Sequence, residues 1–354
     1  MSQPLVSICV PTCNRAHFLQ RSLESILAQQ HRDFELLIGD NASTDETEPL
    51  CRRLAGSDSR IRYIRHPQNI GIYPNHNVLA NQAQGEYLCF FHDDDEYEPT
   101  ILSQEAAFLS KHPEAGIVCP DWTLINEHNA PLGFRDHPVP ALRPGLDYID
   151  KTIRSGQSAV GLSGAMVRRT SLGQSRFDET GPIGFGDFVL WFEVAEHSMV
   201  GHIPQQLYAY RLHTESLSRK SILSVTRDYR QAMGKYINDH LQRWPAHAAP
   251  VKQWRRAIDK YLFWILAYEI MLHCGQRTEQ DSAKRYRTVF ELMDYRLTNQ
   301  EFEQVVAEFK LFHGGPLERF MQQGVQFLLH RHWTRPLGKL APYAPAFRGL
   351  LGLH

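Results

Sequence analysis

Three consecutive aspartates, Asp93, Asp94 and Asp95, form the segment of this chain whose chemistry is easiest to interpret. They follow an apolar run, Tyr87 to Phe91, which is typical of a buried strand. Hard divalent cations such as Mg²⁺ and Mn²⁺ take oxygen ligands and keep positions open for phosphate. Adjacent carboxylates also repel one another, and a cation relieves that repulsion. The triplet indicates a metal site, although aspartate is also common in turns and helix caps that bind nothing.

Polar loops also follow two other predicted strands. Pro11 to Arg15 comes after the first strand, and Asp40 to Asp45 comes after the second. In open α/β sheets, ligands bind outside the carboxyl ends of the strands. We therefore expect these two loops and His92 to Glu96 to meet at one edge of the sheet and to form a ligand site there.

The elements that must position these loops are visible as alternating periodicities. Short apolar runs predict strands, and apolar residues at helical spacing predict helices between them. The predicted strands are Leu5–Val10, Phe34–Ile38, Ile61–Arg65 and Tyr87–Phe91, and the predicted helices are Phe18–Gln29, Glu46–Ala55 and Asn75–Ala83. Such alternation needs right-handed crossovers and gives a mostly parallel sheet. The fold class is therefore α/β, with a mixed, mostly parallel sheet flanked by helices.

Composition restricts the class of protein. The 354 residues are 42% hydrophobic and 22% charged, which is the balance of a globular protein with a packed core. A net charge of −1 gives no general attraction for nucleic acid, so we expect no nucleic-acid partner. Six cysteines lack paired C-x-x-C spacing, which favours free thiols in a reducing compartment. With no signal-peptide pattern and no run of ~18 apolar residues, we expect a cytoplasmic protein.

The chain after residue 100 is harder to interpret. Residues from Pro120 to Pro144 are rich in Pro, Asn, His and Gly, which predicts irregular structure or a lid. From about Ile222 onward, long amphipathic stretches such as Trp254 to Leu272 and Phe302 to Phe312 predict helices. We therefore expect a catalytic domain over residues 1–220, with halves of about 1–100 and 101–220, and a mainly helical region over 221–354.

Three segments of the first hundred residues, taken in order and spacing, resemble the family 2 glycosyltransferases with the GT-A fold. They are Val6 to Arg15, Asp40 to Asp45, and Gly85 through the aspartate triplet to Pro99. The resemblance implies a Rossmann-like nucleotide-binding half and transfer of a sugar from a nucleotide-diphosphate donor to an acceptor hydroxyl. It covers about 60% of the chain and leaves the last third without an assigned chemistry.

The resemblance also implies donor-site residues. It places Asp40 and Asn41 on the nucleobase and ribose and lines the nucleotide pocket with Pro11, Thr12, Asn14 and Arg15. Asn69, Gly71 and Asn77 match a stretch that shapes the floor of the donor site, where His76 replaces the usual arginine. A structural role for Gly71 and Asn77 is equally compatible with their residue types.

The triplet takes the place of the family's D-x-D motif. Asp94 is the first choice as direct ligand of Mn²⁺ or Mg²⁺, Asp95 assists it, and Asp93 contacts the donor. The position that often holds the first aspartate is His92 when the segment is aligned on Pro99.

Asp187 matches the acidic residue that the family uses as catalytic base, within Gly184 to Phe192. The usual preceding glutamate is Gly186 here. An aspartate before an apolar helical run is also a common N-cap, and both roles are compatible. A base opposite the leaving diphosphate implies inversion at the anomeric carbon.

Two further segments extend the resemblance. In Tyr208 to Ser218, His213 completes the metal shell or binds diphosphate, and Arg211 neutralises phosphate charge or anchors its loop. Ser163 and Gly164 lie in a small-residue segment that leaves room for the sugar, although glycine in a tight turn explains them equally well.

The expected partners follow from this assignment. The donor is a nucleotide-diphospho-sugar, with UDP as the first choice, and the acceptor is a saccharide or lipid-linked saccharide in surface polysaccharide or glycoconjugate synthesis. The basic, apolar segment Phe320 to His354 indicates either peripheral membrane contact or a packed tail. Two rivals are a catalytically silent scaffold and a nucleotidyltransferase, and the latter lacks a glycine-rich phosphate loop near Pro11 to Arg15.

Overall fold

The computed structural model describes residues 5–135, 139–213, 222–255 and 257–258. Its first half is a parallel sheet with helical crossovers. The elements are β1 (Val6–Thr12), α1 (Ala16–Leu27), β2 (Phe34–Asp40), α2 (Thr47–Ser57), β3 (Ile61–Arg65), α3 (Ile72–Gln82) and β4 (Tyr87–Phe90). β1 pairs in parallel with β2 and β4, and β2 pairs in parallel with β3. This order brings the loops after β1, β2 and β4 to the same edge of the sheet.

The second half completes the sheet with strands of both directions. The elements are β5 (Glu96–Tyr97), α4 (Ile101–Lys111), β6 (Ala115–Asn126), β7 (Pro131–Arg135), β8 (Leu142–Pro144), α5 (Gly145–Ser155), β9 (Met166–Arg168), α6 (Arg169–Leu172), α7 (Gly186–Ala195), β10 (Met199–Leu212), α8 (Ile222–Arg243) and a 3₁₀ turn (Pro245–His247). The sheet order is β3-β2-β1-β4-β9-β6-β10-β5. β9 runs antiparallel between β4 and β6, whereas β6 and β10 are parallel. The predicted mixed α/β fold is confirmed.

The predicted elements of the first hundred residues are all present. β1 continues two residues beyond its predicted end at Val10, through Pro11 and Thr12. Pro11 has no N–H to donate, and the pairing of β1 with β4 ends at Cys9, so the strand continues without losing a bond on that side. All seven residues of β1 and of β2 are buried, as expected for central strands covered on both faces.

The prediction of irregular structure from Pro120 to Pro144 is wrong for most of that range. β6 runs through Pro120 to Asn126 and forms an antiparallel hairpin with β7. The β6–β10 register shifts between Ile203 and Gln206, opposite Pro120, and this irregularity accommodates the missing N–H. Composition alone did not reveal the long strand because proline in a strand is usually a sign against it.

The described part of the C-terminal region packs on α5 and α7. The Tyr229 hydroxyl of α8 donates to the Ile153 carbonyl oxygen at 3.1 Å. Glu196, which follows α7, accepts hydrogen bonds from Arg243 and Trp244 and pairs with His240 at 2.7 Å. α8 from Asp228 onward therefore belongs to the same compact unit as residues 1–219.

Much of the C-terminal region lies outside the described residues. This holds for most of the predicted stretch Trp254 to Leu272, and for all of Phe302 to Phe312 and Phe320 to His354. Among the described helices, none combines the length and the apolar character needed to cross a bilayer. The predicted domain division near residue 220 stays a prediction.

Candidate active site

The loop after β4 is held in a tight reversal by hydroxyl groups. The backbone carbonyl oxygen of His92 accepts a hydrogen bond from Ser22 Oγ at 2.9 Å. The backbone N–H of His92 donates to the Tyr97 hydroxyl at 2.7 Å. The Tyr97 hydroxyl also lies 2.7 Å from Ser163 Oγ. Because Tyr97 belongs to β5, which pairs with β10, the chain turns back immediately after the aspartates. The three carboxylates are thereby confined to one short loop at the carboxyl end of β4.

Within this loop the structure forms a cluster suited to a cation. His92, Asp94 and Asp95 each place one potential ligand atom within 4.8 Å of the others. Asp95 is fully buried, and its Oδ1 accepts the backbone N–H of Arg211 at 2.8 Å. Its Oδ2 is also buried and lies 3.4 Å from His92 Nδ1, the ring nitrogen with which it interacts. A buried carboxylate oxygen beside two further ligand groups fits a divalent cation.

Asp93 and Asp94 are paired with basic side chains from other elements. Arg15 Nη1 lies 3.2 Å from Asp93 Oδ1 and 3.0 Å from Asp94 Oδ2. His213 Nε2, just after β10, lies 2.9 Å from the same Asp94 oxygen. The loop after β1 and the end of β10 therefore converge on Asp94.

The pKa values of the three aspartates in this loop shift in different directions. Burial and the Asp94 charge raise the pKa of Asp93 to about 6. Burial alone would raise the pKa of Asp94, but the hydrogen bond from His213 and the charges of His92 and Arg15 lower it overall. Burial raises the pKa of Asp95 above its usual range. Asp94 is thus the carboxylate most firmly held in its charged form, as a direct metal ligand must be.

The negative charge of the aspartates also affects the pKa of His92. Burial disfavours the imidazolium, but the hydrogen bond to Asp95 and the nearby aspartate charges raise the pKa of His92 to about 9. The loop thus stabilises positive charge at this position. A divalent cation would supply that charge in place of the ring proton, because metal binding displaces protons from its ligands.

Arg211 is buried and anchors the aspartate loop from β10. Only 1% of the residue is exposed, and its Nε donates to the Asp94 carbonyl oxygen at 2.7 Å. Its two terminal nitrogens donate to Glu96 Oε1 at 2.6 Å, to the Asn126 carbonyl oxygen and to Asn129. Of the two roles predicted for Arg211, the structure shows the contacts of the loop anchor.

The loops after β1 and β2 interlock. Asn14 Oδ1 accepts the backbone N–H of Thr44 at 2.7 Å, and Ser43 Oγ accepts the N–H of Asn14 at 2.9 Å. Asp40 is fully buried and accepts hydrogen bonds from the Tyr63 hydroxyl and the Ser43 N–H. These bonds fix the backbone of both loops, with Pro11 and Thr12 buried at the end of β1 between them.

Asn41, Asn69 and Gly71 form one hydrogen-bonded network beside these loops. Asn41 Nδ2 donates to Asn69 Oδ1 at 2.8 Å and to the Gly71 carbonyl oxygen at 3.2 Å. Asn69 Oδ1 also accepts the Gly71 N–H at 2.9 Å. The network joins the end of β2 to the start of α3, so the structure brings these three predicted residues together.

Three other predicted residues support the walls of the site. Asn77 makes paired hydrogen bonds with the Phe177 backbone at 2.9 and 3.0 Å, and so ties α3 to the segment before α7. Ser163 is buried against Tyr97 beneath the aspartate loop. A Cβ on Gly164 would lie 2.1 Å from the Tyr208 ring, so the close packing of that ring requires a glycine here.

Asp187 occupies the first turn of α7. Burial raises the pKa of its carboxyl to about 6, against opposing effects from the backbone N–H groups of Phe188 and Asp187 and from the charge on His92. The influence of His92 places Asp187 in the electrostatic field of the aspartate loop. A carboxyl with a pKa close to neutrality can both accept and release a proton under cellular conditions.

Sequence reasoning missed two residues of the site. His92 was noted only as a departure from the D-x-D pattern, whereas the structure places it in the cation cluster. Tyr73 was not noted at all, although its hydroxyl accepts the Gly186 N–H at 2.9 Å. The available signal for Tyr73 was Gly186, which stands where the family usually has glutamate. A side chain that is absent from one element leaves space that a side chain of another element can fill.

Comparison with known proteins identifies relatives of the same kind. A family model described as "Glycosyl transferase family 2" matches residues 7–175. The "Putative teichuronic acid biosynthesis glycosyltransferase TuaG" of Bacillus subtilis is 24% identical over 217 residues, covering 61% of this chain and 82% of that protein. The "GalNAc(5)-diNAcBac-PP-undecaprenol beta-1,3-glucosyltransferase" of Campylobacter jejuni is 38% identical over 102 residues, covering 28% of this chain and 33% of that one.

Solved structures share the fold at low sequence identity. The mannosyltransferase PcManGT from Pyrobaculum calidifontis, in complex with GDP-Man and Mn²⁺, matches with a TM-score of 0.59 and 15% identity, covering 100% of this chain and 89% of that chain. S. aureus TarS 1-349, in complex with UDP-GlcNAc, matches with a TM-score of 0.51 and 18% identity, covering 82% and 93%.

Proposed function

The chain belongs to glycosyl transferase family 2, and on that premise we propose that it transfers a sugar from a nucleotide-diphosphate donor to an acceptor hydroxyl with inversion at the anomeric carbon. The observation that carries the proposal is the cluster of His92, Asp94 and Asp95 at the carboxyl end of β4, with the loops after β1 and β2 beside it. Ligands bind at this edge in α/β sheets.

The donor binds along the loops after β1 and β2. Pro11, Thr12 and Asn14 shape the first loop and the network of Asn41, Asn69 and Gly71 shapes the second. Asp40 sets the base of the pocket, because its carboxylate fixes the Ser43 backbone and the Tyr63 hydroxyl. Arg15 supplies positive charge for the diphosphate, since this arginine of the loop after β1 reaches the aspartates.

A divalent cation, Mn²⁺ or Mg²⁺, would be held by Asp94 and Asp95 with His213, and His92 would join this set. Such a cation, when bound, neutralises charge on the departing diphosphate. Asp94 is oriented by His213, and the backbone of Arg211 fixes Asp95. Both carboxylates are therefore held in place before any ligand arrives, which reduces the ordering needed on binding.

Asp187 acts as the general base that takes the proton of the acceptor hydroxyl. Its position in the first turn of α7 holds the carboxylate still, and a pKa of about 6 leaves it largely charged at neutral pH. A single base of this kind matches an in-line displacement, in which acceptor attack and diphosphate departure occur on opposite faces of the sugar.

The donor nucleotide and the acceptor are proposed as classes only. UDP is the first choice of nucleotide, and GDP is the second candidate, because structures of the same fold are described in complex with UDP-GlcNAc and with GDP-Man. A saccharide or a lipid-linked saccharide is the proposed acceptor, because related proteins are named for teichuronic acid biosynthesis and for an undecaprenol-linked substrate.

Calorimetric titration tests the donor site directly. UDP, GDP, dTDP and CMP are titrated into the wild-type protein and into Asp94→Ala, each with and without Mn²⁺. We expect one nucleoside diphosphate to bind, to depend on Mn²⁺, and to lose that dependence in Asp94→Ala. Absence of binding by all four nucleotides to the folded wild-type protein would reject the proposed donor site.

A further inference from the structure

Tyr73 links the donor half of the molecule to the start of α7. It lies in the first turn of α3, and its ring stacks on Phe177 with centroids 5.2 Å apart and planes 11° apart. Its hydroxyl oxygen accepts the N–H groups of Gly184 at 3.0 Å and Gly186 at 2.9 Å. The same hydroxyl donates to the Pro182 carbonyl oxygen at 3.4 Å. One phenol therefore satisfies three backbone groups immediately before Asp187.

These contacts replace a missing helix cap. The first N–H groups of a helix have no partner within the helix, and side chains at its start usually satisfy them. In α7 the residue before the helix, Phe185, has no side-chain capping bond, and the Tyr73 hydroxyl accepts the first helical N–H instead. Without that acceptor, the turn that carries Asp187 would have a backbone amide beneath the protein surface with no bond.

The position of the Tyr73 ring requires a glycine at position 186. A Cβ built on Gly186 would lie 2.5 Å from Tyr73 Cζ and 2.6 Å from its hydroxyl oxygen, closer than carbon atoms approach in folded proteins. Any side chain at 186 would therefore displace the hydroxyl from the amides it accepts. The glutamate that usually precedes the family's acidic residue would not fit beside the Tyr73 hydroxyl. Gly186 in its place leaves room for this phenol.

We propose that Tyr73 is the positioning residue for Asp187, and that its hydroxyl fixes the first turn of α7 so that the carboxylate stays aimed at the acceptor. This inference rests on the proposed role of Asp187 as base. The phenol remains a stable hydrogen-bonding group, because burial and the Asp187 charge raise the pKa of Tyr73 to about 12.

Hydrogen exchange tests the contact without reference to activity. Tyr73→Phe keeps the ring and removes only the hydroxyl. Tyr87→Phe is the matched control, because Tyr87 is a buried tyrosine at the start of β4, and the aspartate loop follows the other end of that strand. We expect the amides of residues 184–187 to exchange at least about tenfold faster in Tyr73→Phe, the factor that one hydrogen bond of about 1.4 kcal/mol supplies. Exchange should be unchanged there in Tyr87→Phe.

Turnover tests the positioning role. UDP-glucose, UDP-N-acetylglucosamine and GDP-mannose are first tested as donors with the wild type. With a donor that the wild type turns over, Tyr73→Phe should lower kcat about tenfold, while the KM for the donor stays within about twofold. Gly186→Ala should do the same, and the double variant should lose no more than either single one, because both changes remove the same contact.

The outcomes separate this inference from the proposed function. Unchanged exchange at residues 184–187, or faster exchange with unaltered kcat, overturns the role of Tyr73 while the donor site stands. If the wild type neither binds nor turns over any donor, the proposed function fails. The exchange measurement then still decides whether Tyr73 holds the start of α7.

Discussion

The Nε2 atom of His213 lies 2.9 Å from Oδ2 of Asp94, although 119 positions separate the two residues in the chain. His213 follows β10, and Asp94 follows β4 in the other half of the sheet. Because β9 and β6 stand between those strands, the contact forms only when the whole sheet is assembled. The proposed metal site is therefore a product of tertiary structure and not of the aspartate loop alone.

Replacing His213 should weaken cation binding more than it destabilises the protein. In His213→Asn, the site loses a proposed ligand that also orients Asp94, and changes to residues that orient metal ligands typically cost about 10- to 100-fold in metal affinity. The measurement is the Mn²⁺ affinity of the nucleotide complex by calorimetry. His112→Asn is the control, because His112 ends α4 at the opposite edge of the sheet. Equal Mn²⁺ affinity in the two variants would contradict the prediction.

His92 should set the preference among divalent cations. Imidazole favours Mn²⁺ and later transition metals over Mg²⁺, which prefers an all-oxygen shell. We expect wild-type protein to bind its nucleotide at least roughly tenfold more tightly with Mn²⁺ than with Mg²⁺, and we expect His92→Asp to narrow that ratio.

Electron paramagnetic resonance of bound Mn²⁺ provides a second readout for His92. If both His92 and His213 coordinate the ion, the wild-type spectrum should show coupling to two imidazole nitrogens, and His92→Asp should show coupling to one. The control is His112→Asn, which should keep the wild-type spectrum. If His92→Asp leaves both the spectrum and the Mn²⁺-to-Mg²⁺ ratio unchanged, His92 is not a ligand.

The first hundred residues could be predicted from sequence because their signals are local. β1, β2 and β4 are continuous apolar runs, and the polar loops that follow them lie at the expected edge of the sheet. The topology of parallel strands then brings the loops together without further information. The same reasoning failed at Pro120, because a register shift in the partner strand β10, distant in sequence, makes proline tolerable there.

Roles that depend on long-range packing could not be predicted. The sequence places Arg211 in a motif, but only the structure shows that its guanidinium is buried against Glu96, Asn126 and Asn129. Tyr73 and Gly186 illustrate the same limit, because a contact across 113 positions leaves no periodic signal. The sequence pattern therefore identifies which residues can do chemistry. The packing of the folded chain decides which of these residues face a ligand.

Glu105 should destabilise the protein as the pH rises. It is fully buried in α4, where its carboxyl meets one backbone N–H, that of Met166, and burial raises its pKa well above the usual range. Above about pH 4.5 the unfolded chain releases this proton while the folded chain keeps it, so stability falls by roughly 1 kcal/mol per pH unit.

Glu105→Met should therefore stabilise the protein, and more so at pH 8 than at pH 5. The substitution keeps a similar volume and removes a buried carboxyl group. Thermal unfolding at the two pH values measures the difference, and Glu24→Met, on the exposed face of α1, is the control. A gain in Tm that is equal at both pH values would show that Glu105 is not held protonated in the folded state.

Asp187→Asn should remove the chemical step and spare donor binding. Asparagine keeps the shape and cannot accept the acceptor proton, and general-base catalysis typically contributes about 10²- to 10⁴-fold to the rate. We expect kcat to fall by that factor while the nucleotide affinity measured by calorimetry stays within about twofold, because Asp187 is not among the residues that hold the nucleotide.

The pH dependence of the wild type provides the independent check on Asp187. The base acts in its deprotonated form, and its pKa is raised to about 6 by burial, so kcat should rise with pH through about 6 and level off above pH 7. In Asp187→Asn the residual rate should lose that inflection. If the inflection near pH 6 persists in the variant, another group with a similar pKa, such as Asp93, controls the reaction and Asp187 is not the base.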